Sequence, residues 1–294
     1  DRVLIGEVAL EPPDYLKGAE KAAAYLGEAE DGLHAAFNFS FMYSKFSAEK
    51  FKGQVKTWEE ALKGKGWPVY VLSNHDDRRH LSRYAKGKET IPRAKVLAAM
   101  LLTLKGTPFL YYGEEIGMKN LQLKRSELLD PLGKRYWPFH PGRDGERTPM
   151  QWNENLNAGF TTGKPWNKVH PDYASINVEA QNKEPDSILN FYRKLIWIRK
   201  KNIALRQGKY RENPDSPKGV FSFFRETNEE TLLVVLNFTD KKRRLSFNRI
   251  NMDKRKIILA EPKTEHNLFR GKWINIAPYG VLILKFIIHN YNFK

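Results

Sequence analysis

Cysteine is absent from the sequence, so neither disulfides nor thiolate chemistry are available to it, a usage that fits a cytoplasmic setting. No apolar run approaches about twenty residues, which excludes an ordinary transmembrane helix. The first residues, Asp1-Arg-Val-Leu, lead straight into a strand without the basic and apolar regions of a signal peptide. Histidine is thinly spread: His34, His80, His140, His170 and His289 lack metal-ligand spacing, so no metal and no other cofactor is expected. Internal repeats and low-complexity tracts are also missing.

What is there suffices for a core. With 41% hydrophobic and 13% aromatic residues over 294 positions, the chain is globular and large enough for one or two domains. Its formal charge of +16 raises the question of nucleic acid. A nucleic-acid binder gathers its Lys and Arg on one face, whereas here they are scattered. The densest runs are Arg199-Lys-Lys201, at the end of a helical pattern, and Lys241-Lys-Arg-Arg244, beside a turn. Cations at a helix C-terminus complement its dipole, so neither a nucleic-acid nor a membrane partner is expected. An excess of one sign also fits an acidic partner segment carried elsewhere.

The chain is organised around Val69-Tyr-Val-Leu-Ser-Asn-His-Asp76, an apolar run that ends in an amide, an imidazole and a carboxylate. Such a run reads as a strand buried on both faces of a parallel sheet. Polar residues at its C-terminal end sit where α/β barrels keep their chemistry. Val3-Leu-Ile5 followed by Gly6-Glu7, and Phe109-Leu-Tyr-Tyr112 followed by Gly113-Glu-Glu115, have the same shape. Three strand tips carrying carboxylates suggest glycoside hydrolysis, which works with a carboxylate on either side of the scissile bond.

Between these tips the pattern alternates strand and helix. Pro12-Pro13 and Asp14 open a helix to about Tyr25, and Ala35 to Phe41 alternates as a second strand. Ser47 caps a helix from Ala48 to Leu62 with Phe51, Val55, Trp58 and Leu62 on one face, stopped by Gly64 and Gly66. Thr90-Ile-Pro92 starts a helix to Leu104, closed by Gly106 and Pro108. Strands in this order imply parallel neighbours with right-handed crossovers. Only about four strands can be counted, half of a closed (β/α)₈ barrel.

From Ile116 to about Pro185 periodicity is weak, and a loop excursion of that length is usually functional. Ile188, Phe191, Leu195 and Ile198 then mark an amphipathic helix. Past Gly208 come short strands at Val220–Phe224, Thr231–Leu236, Arg244–Phe247, Lys256–Ile-Ile-Leu259 and Val281–Leu284, the signature of a small antiparallel sandwich. The expected division is therefore a partial barrel over residues 1–206 and an all-β domain over 207–294.

Four blocks carry a family resemblance: Gly6-Glu7; Ser73-Asn-His-Asp76 with Arg79; Gly106-Thr-Pro-Phe-Leu-Tyr-Tyr-Gly-Glu-Glu115; and Arg143-Asp-Gly-Glu-Arg-Thr-Pro-Met-Gln-Trp152. In this order they resemble the α-amylase superfamily of glycoside hydrolases. The last block, continued by Asn157-Ala-Gly-Phe-Thr-Thr-Gly-Lys-Pro-Trp166, is similar to its α-glucosidase and oligo-1,6-glucosidase branch. The resemblance implies a retaining mechanism on short α-glucosides. Glu7 then matches the general acid/base, Asp76 the carboxylate that steadies the oxocarbenium-like transition state, His75 a ring that hydrogen-bonds the same sugar, and Arg147 an arginine recognising the non-reducing glucose. A Glu at a buried strand tip would have its proton held by desolvation, as an acid requires.

The family's nucleophilic Asp, with an Arg two residues before it, precedes the acid/base strand. No Gly-Phe-Arg-x-Asp-like stretch occurs in this sequence. The chain is thus expected to correspond to the C-terminal half of such an enzyme, inactive alone, and to need an N-terminal half-barrel chain or self-association to cover its sheet edges. Two other readings remain: a transglycosylating isomerase related to trehalose synthase, and a non-catalytic relative that works by protein association. Asn74 and Arg79 are expected to hold the loop, and Glu114 and Glu115 to be structural or rim residues. Trp152 and Trp166 could stack on sugar but are more often packing. The sequons at Asn38 and Asn237 are expected to be chance matches.

Overall fold

The computed structural model describes residues 2–8, 15–26, 32–63, 66–246, 255–263 and 268–286. Pro12-Pro13, the expected cap at Asp14, the stop at Gly64, and Phe247 and His289 lie outside them. The backbone forms two compact units, one of Asp1–Tyr70, Lys95–Pro108 and Leu195–Lys294, the other of Val71–Ala94 and Phe109–Lys194.

A four-stranded sheet follows chain order: β1 (Ile5–Gly6), β2 (Ala35–Asn38), β3 (Val69–Val71) and β4 (Thr107–Phe109). β1 pairs parallel to β2, Ile5 opposite Ala35, and β2 parallel to β3, Phe37 opposite Val69. Inner position explains why all three β3 residues are buried. Among the described residues β1 has one neighbour, and its surroundings differ from the expectation of a strand buried on both faces: Val3 is 68% and Leu4 59% exposed. At the turn into β4, Gly106 has φ +121°, and a Cβ there would stand 2.3 Å from the Pro68 carbonyl oxygen. Only glycine fits so close an approach.

β2 stops earlier than its alternation predicts. The Asn38 side-chain oxygen accepts from the Ser40 amide at 3.0 Å and from the Ser40 hydroxyl, which turns the chain into a short helix, Ser40–Tyr43. Local side-chain bonding of this kind competes with the sheet ladder. Asn38 and Asn237 are fully buried, so neither sequon is presented to solvent in the folded chain.

The helix Ala48–Leu62 forms as its sequence dictates. Ser47 Oγ accepts from the Lys50 amide at 3.4 Å, and Phe51, Val55, Trp58 and Leu62 are buried on one stripe. Its end is a left-handed Lys63 rather than a glycine. Trp58 and Leu62 pack with Val8, Ala19, Ala22 and Ala36 in one core cluster. Burying each such large apolar side chain contributes about 1.5–3 kcal/mol.

The same unit holds the all-β elements. Strands β5 (Lys209–Glu212), β6 (Val220–Glu226), β7 (Thr231–Asn237), β8 (Arg243–Ser246), β9 (Arg255–Glu261), β10 (Phe269–Arg270), β11 (Trp273–Ile276) and β12 (Val281–Phe286) form two antiparallel sheets. Their orders are β5-β6-β7-β12-β9 and β10-β11-β8. Val220, Leu233, Leu282 and Leu284 of the larger sheet share a core with Leu245, Ile274 and Ile276 of the smaller, the face-to-face packing of a sandwich. β5 reads Lys-Tyr-Arg-Glu and β10 only Phe-Arg, so neither carries a clear apolar signal, whereas β11, Trp-Ile-Asn-Ile, is apolar at three of its four positions. The larger sheet also packs on the helix Ala48–Leu62: the rings of Phe51 and Phe238 lie 5.5 Å apart, and Glu49 accepts from the Gly219 amide at 2.6 Å. Arg199 donates to the carbonyls of Leu102, Leu104 and Gly106 at 2.8, 3.1 and 2.6 Å, closing the end of the helix Thr90–Thr103.

The second unit has a small apolar centre, Ile116, Met118, Met150 and Leu189, with Val178 beside it. Most of its chain runs in short turns tied by side-chain bonds to backbone. No helix among the described residues is long and apolar enough to cross a membrane.

Candidate active site

Asp76 is delivered by the loop after β3. Asn74 Oδ1 accepts from the amides of Asp76 at 3.0 Å and Asp77 at 2.8 Å, a side-chain turn that fixes where the carboxylate emerges. The loop is closed at its base by Ser73, whose hydroxyl accepts from the His80 amide at 2.8 Å and meets His80 Nδ1 at 3.0 Å.

Around Asp76 three side chains converge. Its Oδ1 accepts from Arg147 Nη2 at 2.9 Å and from Arg143 Nη1 at 3.2 Å, while Oδ2 lies 3.3 Å from His75 Nε2. Arg147 Nε also donates to the His75 carbonyl at 2.7 Å. Of the residues singled out in the sequence, His75, Asp76 and Arg147 are thus brought together. The side chain of Asp76 stays 40% exposed, so the cluster is open to solvent.

Arg143 was not singled out, although its spacing of four from Arg147 on one loop was a usable signal. It is anchored on Asp130: the Arg143 amide and Nε each donate to Asp130 Oδ2 at 2.9 Å. That guanidinium, with the Leu132 amide, holds the Asp130 carboxyl down at about 2 and so keeps it ionised. Asp144 in turn accepts from the Leu129 and Asp130 amides at 2.7 and 2.8 Å. The loop that carries both arginines is therefore tied down by the buried carboxylates of Asp130 and Asp144.

Beneath the Asp76 loop lies Arg79, fully buried. Its Nη1 donates to the Tyr112 carbonyl at 2.5 Å, its amide donates to Asn120 Oδ1 at 2.7 Å, and its guanidinium sits 4.7 Å from the centroids of both the Tyr111 and Tyr112 rings. Such stacking suits the weakly hydrated guanidinium. As expected, Arg79 and Asn74 hold the loop. Glu114 is buried too: burial pushes its carboxyl up to about 8, while the Tyr192 hydroxyl donates to Oε1 at 3.2 Å. Burial pulls His80 down to about 3, so its 3.9 Å approach to Glu114 is not an ion pair. Glu146, accepting from Asn120 Nδ2 at 2.7 Å, is likewise raised by burial, to about 7.

Glu7 follows β1 in the other unit and is exposed. It does not sit at the buried strand tip expected of it. Among the described residues no group of three or more Cys, His, Asp or Glu is placed to hold a metal ion.

An alpha-amylase catalytic-domain family model matches residues 1–208. The chain belongs to the alpha-amylase family. It is 36% identical over 215 residues to the oligo-1,6-glucosidase of Parageobacillus thermoglucosidasius, covering 67% of this chain and 38% of that protein. To the probable oligo-1,6-glucosidase 2 of Bacillus subtilis (strain 168) it is 34% identical over 274 residues, covering 82% of this chain and 48% of the relative. This alpha-amylase family chain therefore spans less than half the length of either relative. Among solved structures, a mutant isomaltulose synthase of Erwinia rhapontici NX5 in complex with sucrose superposes with a TM-score of 0.82 at 27% identity, covering 98% of this chain and 56% of that one. The trehalose-6-phosphate hydrolase of Bacillus licheniformis gives 0.80 at 28%, covering 97% and 56%.

Proposed function

We propose that this chain supplies the acid/base and the transition-state-stabilising residues of a retaining α-glucosidase, as the second half of a (β/α)₈ barrel over residues 1–206 with a sandwich over 207–294. The observation that carries the reading is the Asp76 carboxylate, bracketed by Arg143 and Arg147 and faced by His75 after an inner parallel strand. In this reading Asp76 and His75 bind sugar hydroxyls that shift as the ring flattens, so they favour the transition state over the ground state. Arg147 fixes the carboxylate and the non-reducing end. Glu7 protonates the leaving oxygen. The substrate is a short α-glucan that gives up glucose from its non-reducing end.

A retaining displacement passes through a covalent glycosyl-enzyme, which needs a second carboxylate as nucleophile. These residues offer no candidate, so turnover requires a segment outside them that carries one, for instance a complementing chain. The test is glucose release from isomaltose and maltose by the purified chain, alone and mixed with the nucleophile-bearing barrel strands of an oligo-1,6-glucosidase. The expected result is no turnover alone and turnover on mixing that Glu7→Gln abolishes. Turnover by the chain alone would overturn it.

The likeness to an isomaltulose synthase supports a second reading, in which the glucosyl group passes to another sugar hydroxyl instead of water. Sucrose as substrate separates the two in the mixed system: free glucose with fructose means hydrolysis, and an isomeric disaccharide means transfer.

A further inference from the structure

A pocket of about 370 Å³ opens in the second unit, lined by Tyr112, Glu115, Thr148, Pro149, Met150, Trp152, Phe160 and Trp166. Asp76, His75, Arg143 and Arg147 are not among its lining residues. Its volume is within the range of small-molecule sites. Two of its walls are exposed tryptophans, Trp152 at 48% and Trp166 at 55%, so both present ring surface to the pocket mouth.

The pocket is built rather than incidental. Trp152 is pinned on both sides, its amide donating to the Ala158 carbonyl at 2.9 Å and its carbonyl accepting from the Glu179 amide at 2.9 Å. Asn157, Ala158 and Gly159 are all left-handed, with φ of 55°, 57° and 66°, a costly run for the two non-glycine residues. The Asn157 side chain holds that turn by donating to the carbonyls of Thr161 at 3.0 Å and Gly163 at 2.8 Å, which sets Phe160 in the wall. Tyr112 is fixed through its hydroxyl, which donates to the Thr148 carbonyl at 2.6 Å.

Two polar groups interrupt this aromatic lining. Thr148 is fully buried, yet its hydroxyl has no hydrogen-bond partner among the described residues. Such a group costs about 1–3 kcal/mol unless something pairs with it. Glu115 lines the same pocket with a carboxyl raised by burial. A purely apolar occupant would leave the Thr148 hydroxyl unpaired. A pyranose has apolar C–H faces that suit aromatic rings and a rim of hydroxyls that both donate and accept, which answers every feature of the pocket.

We propose that this pocket is a second sugar-binding site, which holds one pyranose unit of a glucan against Trp152 and Trp166 with its hydroxyls on Glu115 and Thr148. It acts in binding and not in bond cleavage, and it stands whether or not the Asp76 cluster is catalytic.

Tryptophan fluorescence and calorimetric titration of the chain with isomaltose and maltotriose test it. Saturable binding is expected, weakened about tenfold or more in Trp166→Ala and in Glu115→Gln. The losses in Trp166→Ala and Glu115→Gln are expected to appear in an Asp76→Asn background as well, where sugar held at the other cluster no longer contributes. Trp166→Phe keeps an aromatic wall and is expected to bind with a smaller loss, and circular dichroism checks that each variant is folded. No binding of either sugar, or binding equal to the parent in both Trp166→Ala and Glu115→Gln, would overturn the proposal. So would binding that disappears only in Asp76→Asn, which would place the sugar at the other cluster. Because these are binding measurements on the unmixed chain, they are independent of any failure to detect hydrolysis.

Discussion

Along β7 every residue from Thr231 to Asn237 is buried, and its neighbours β6 and β12 are nearly as dry. From Asn74 to Asp77 and again from Arg143 to Arg147 the chain is polar and partly open, and its order rests on carboxylates and amides aimed at backbone. The first region is specified by area removed from water, a non-directional force that tolerates substitution of like volume. The second is specified by geometry, where each bond is directional and a lost partner strands a buried group. Directional polar contacts cannot be made of the first kind of material, and a scaffold made only of the second would not outweigh its conformational entropy.

The contrast can be broken most strongly in the sandwich. Leu233→Ala removes a fully buried side chain from the core shared by both sheets, and is expected to cost about 2–5 kcal/mol in denaturant unfolding. A loss well under 1 kcal/mol would mean that the core is loosely packed and that the comparison is drawn too sharply.

A pH experiment sharpens the other side. Glu114 is raised by burial from 4.5 to about 8, so the native state binds its proton more tightly than the unfolded chain. Its contribution is fully present below about 4.5 and is lost as pH rises through about 8. Asp130 runs in the opposite sense: held down from 3.8 to about 2 by Arg143, it contributes above about 3.8 and loses that as pH falls through about 2. Glu114→Gln is therefore expected to flatten the decline of stability between pH 4.5 and 8 while leaving the acid limb intact. An unchanged alkaline slope in thermal unfolding would show that Glu114 is not the group responsible.

The smallest effect is expected from Asn74→Ala. It removes one side-chain turn of the Asp76 loop and leaves the sandwich untouched, so a global loss of only about 1 kcal/mol is expected. Amide exchange should speed at Asp76 and Asp77 first. Protection there that matches the parent would mean that Ser73 and Arg79 suffice to hold the loop.

Much of this was present in the residues themselves. Apolar spacing marked the helices Ala48–Leu62 and Ile188–Lys201, and buried runs marked β3, β6, β7 and β12, because burial of a periodic face is a local property of sequence. The block Asn74-His-Asp76 and the arginine at 147 could be singled out because their types and order carry chemistry. Position in the sheet could not: Val3 and Leu4 read like the residues of β3, and only the pairing order left them at an edge. The edge strand β5 and the stop of β2 at Asn38 were decided by partners distant or unseen in any apolar pattern. So too were the pairing of Arg143 with Asp130, thirteen residues away, the burial that shifts Glu114, His80 and Glu146, and the gathering of Thr148, Glu115 and two exposed tryptophans around one pocket. Sequence determines which side chains seek water and which avoid it, a preference each residue carries alone. Which polar groups meet, and how far each is desolvated when they do, is settled only when loops from separate strands are brought to the same place.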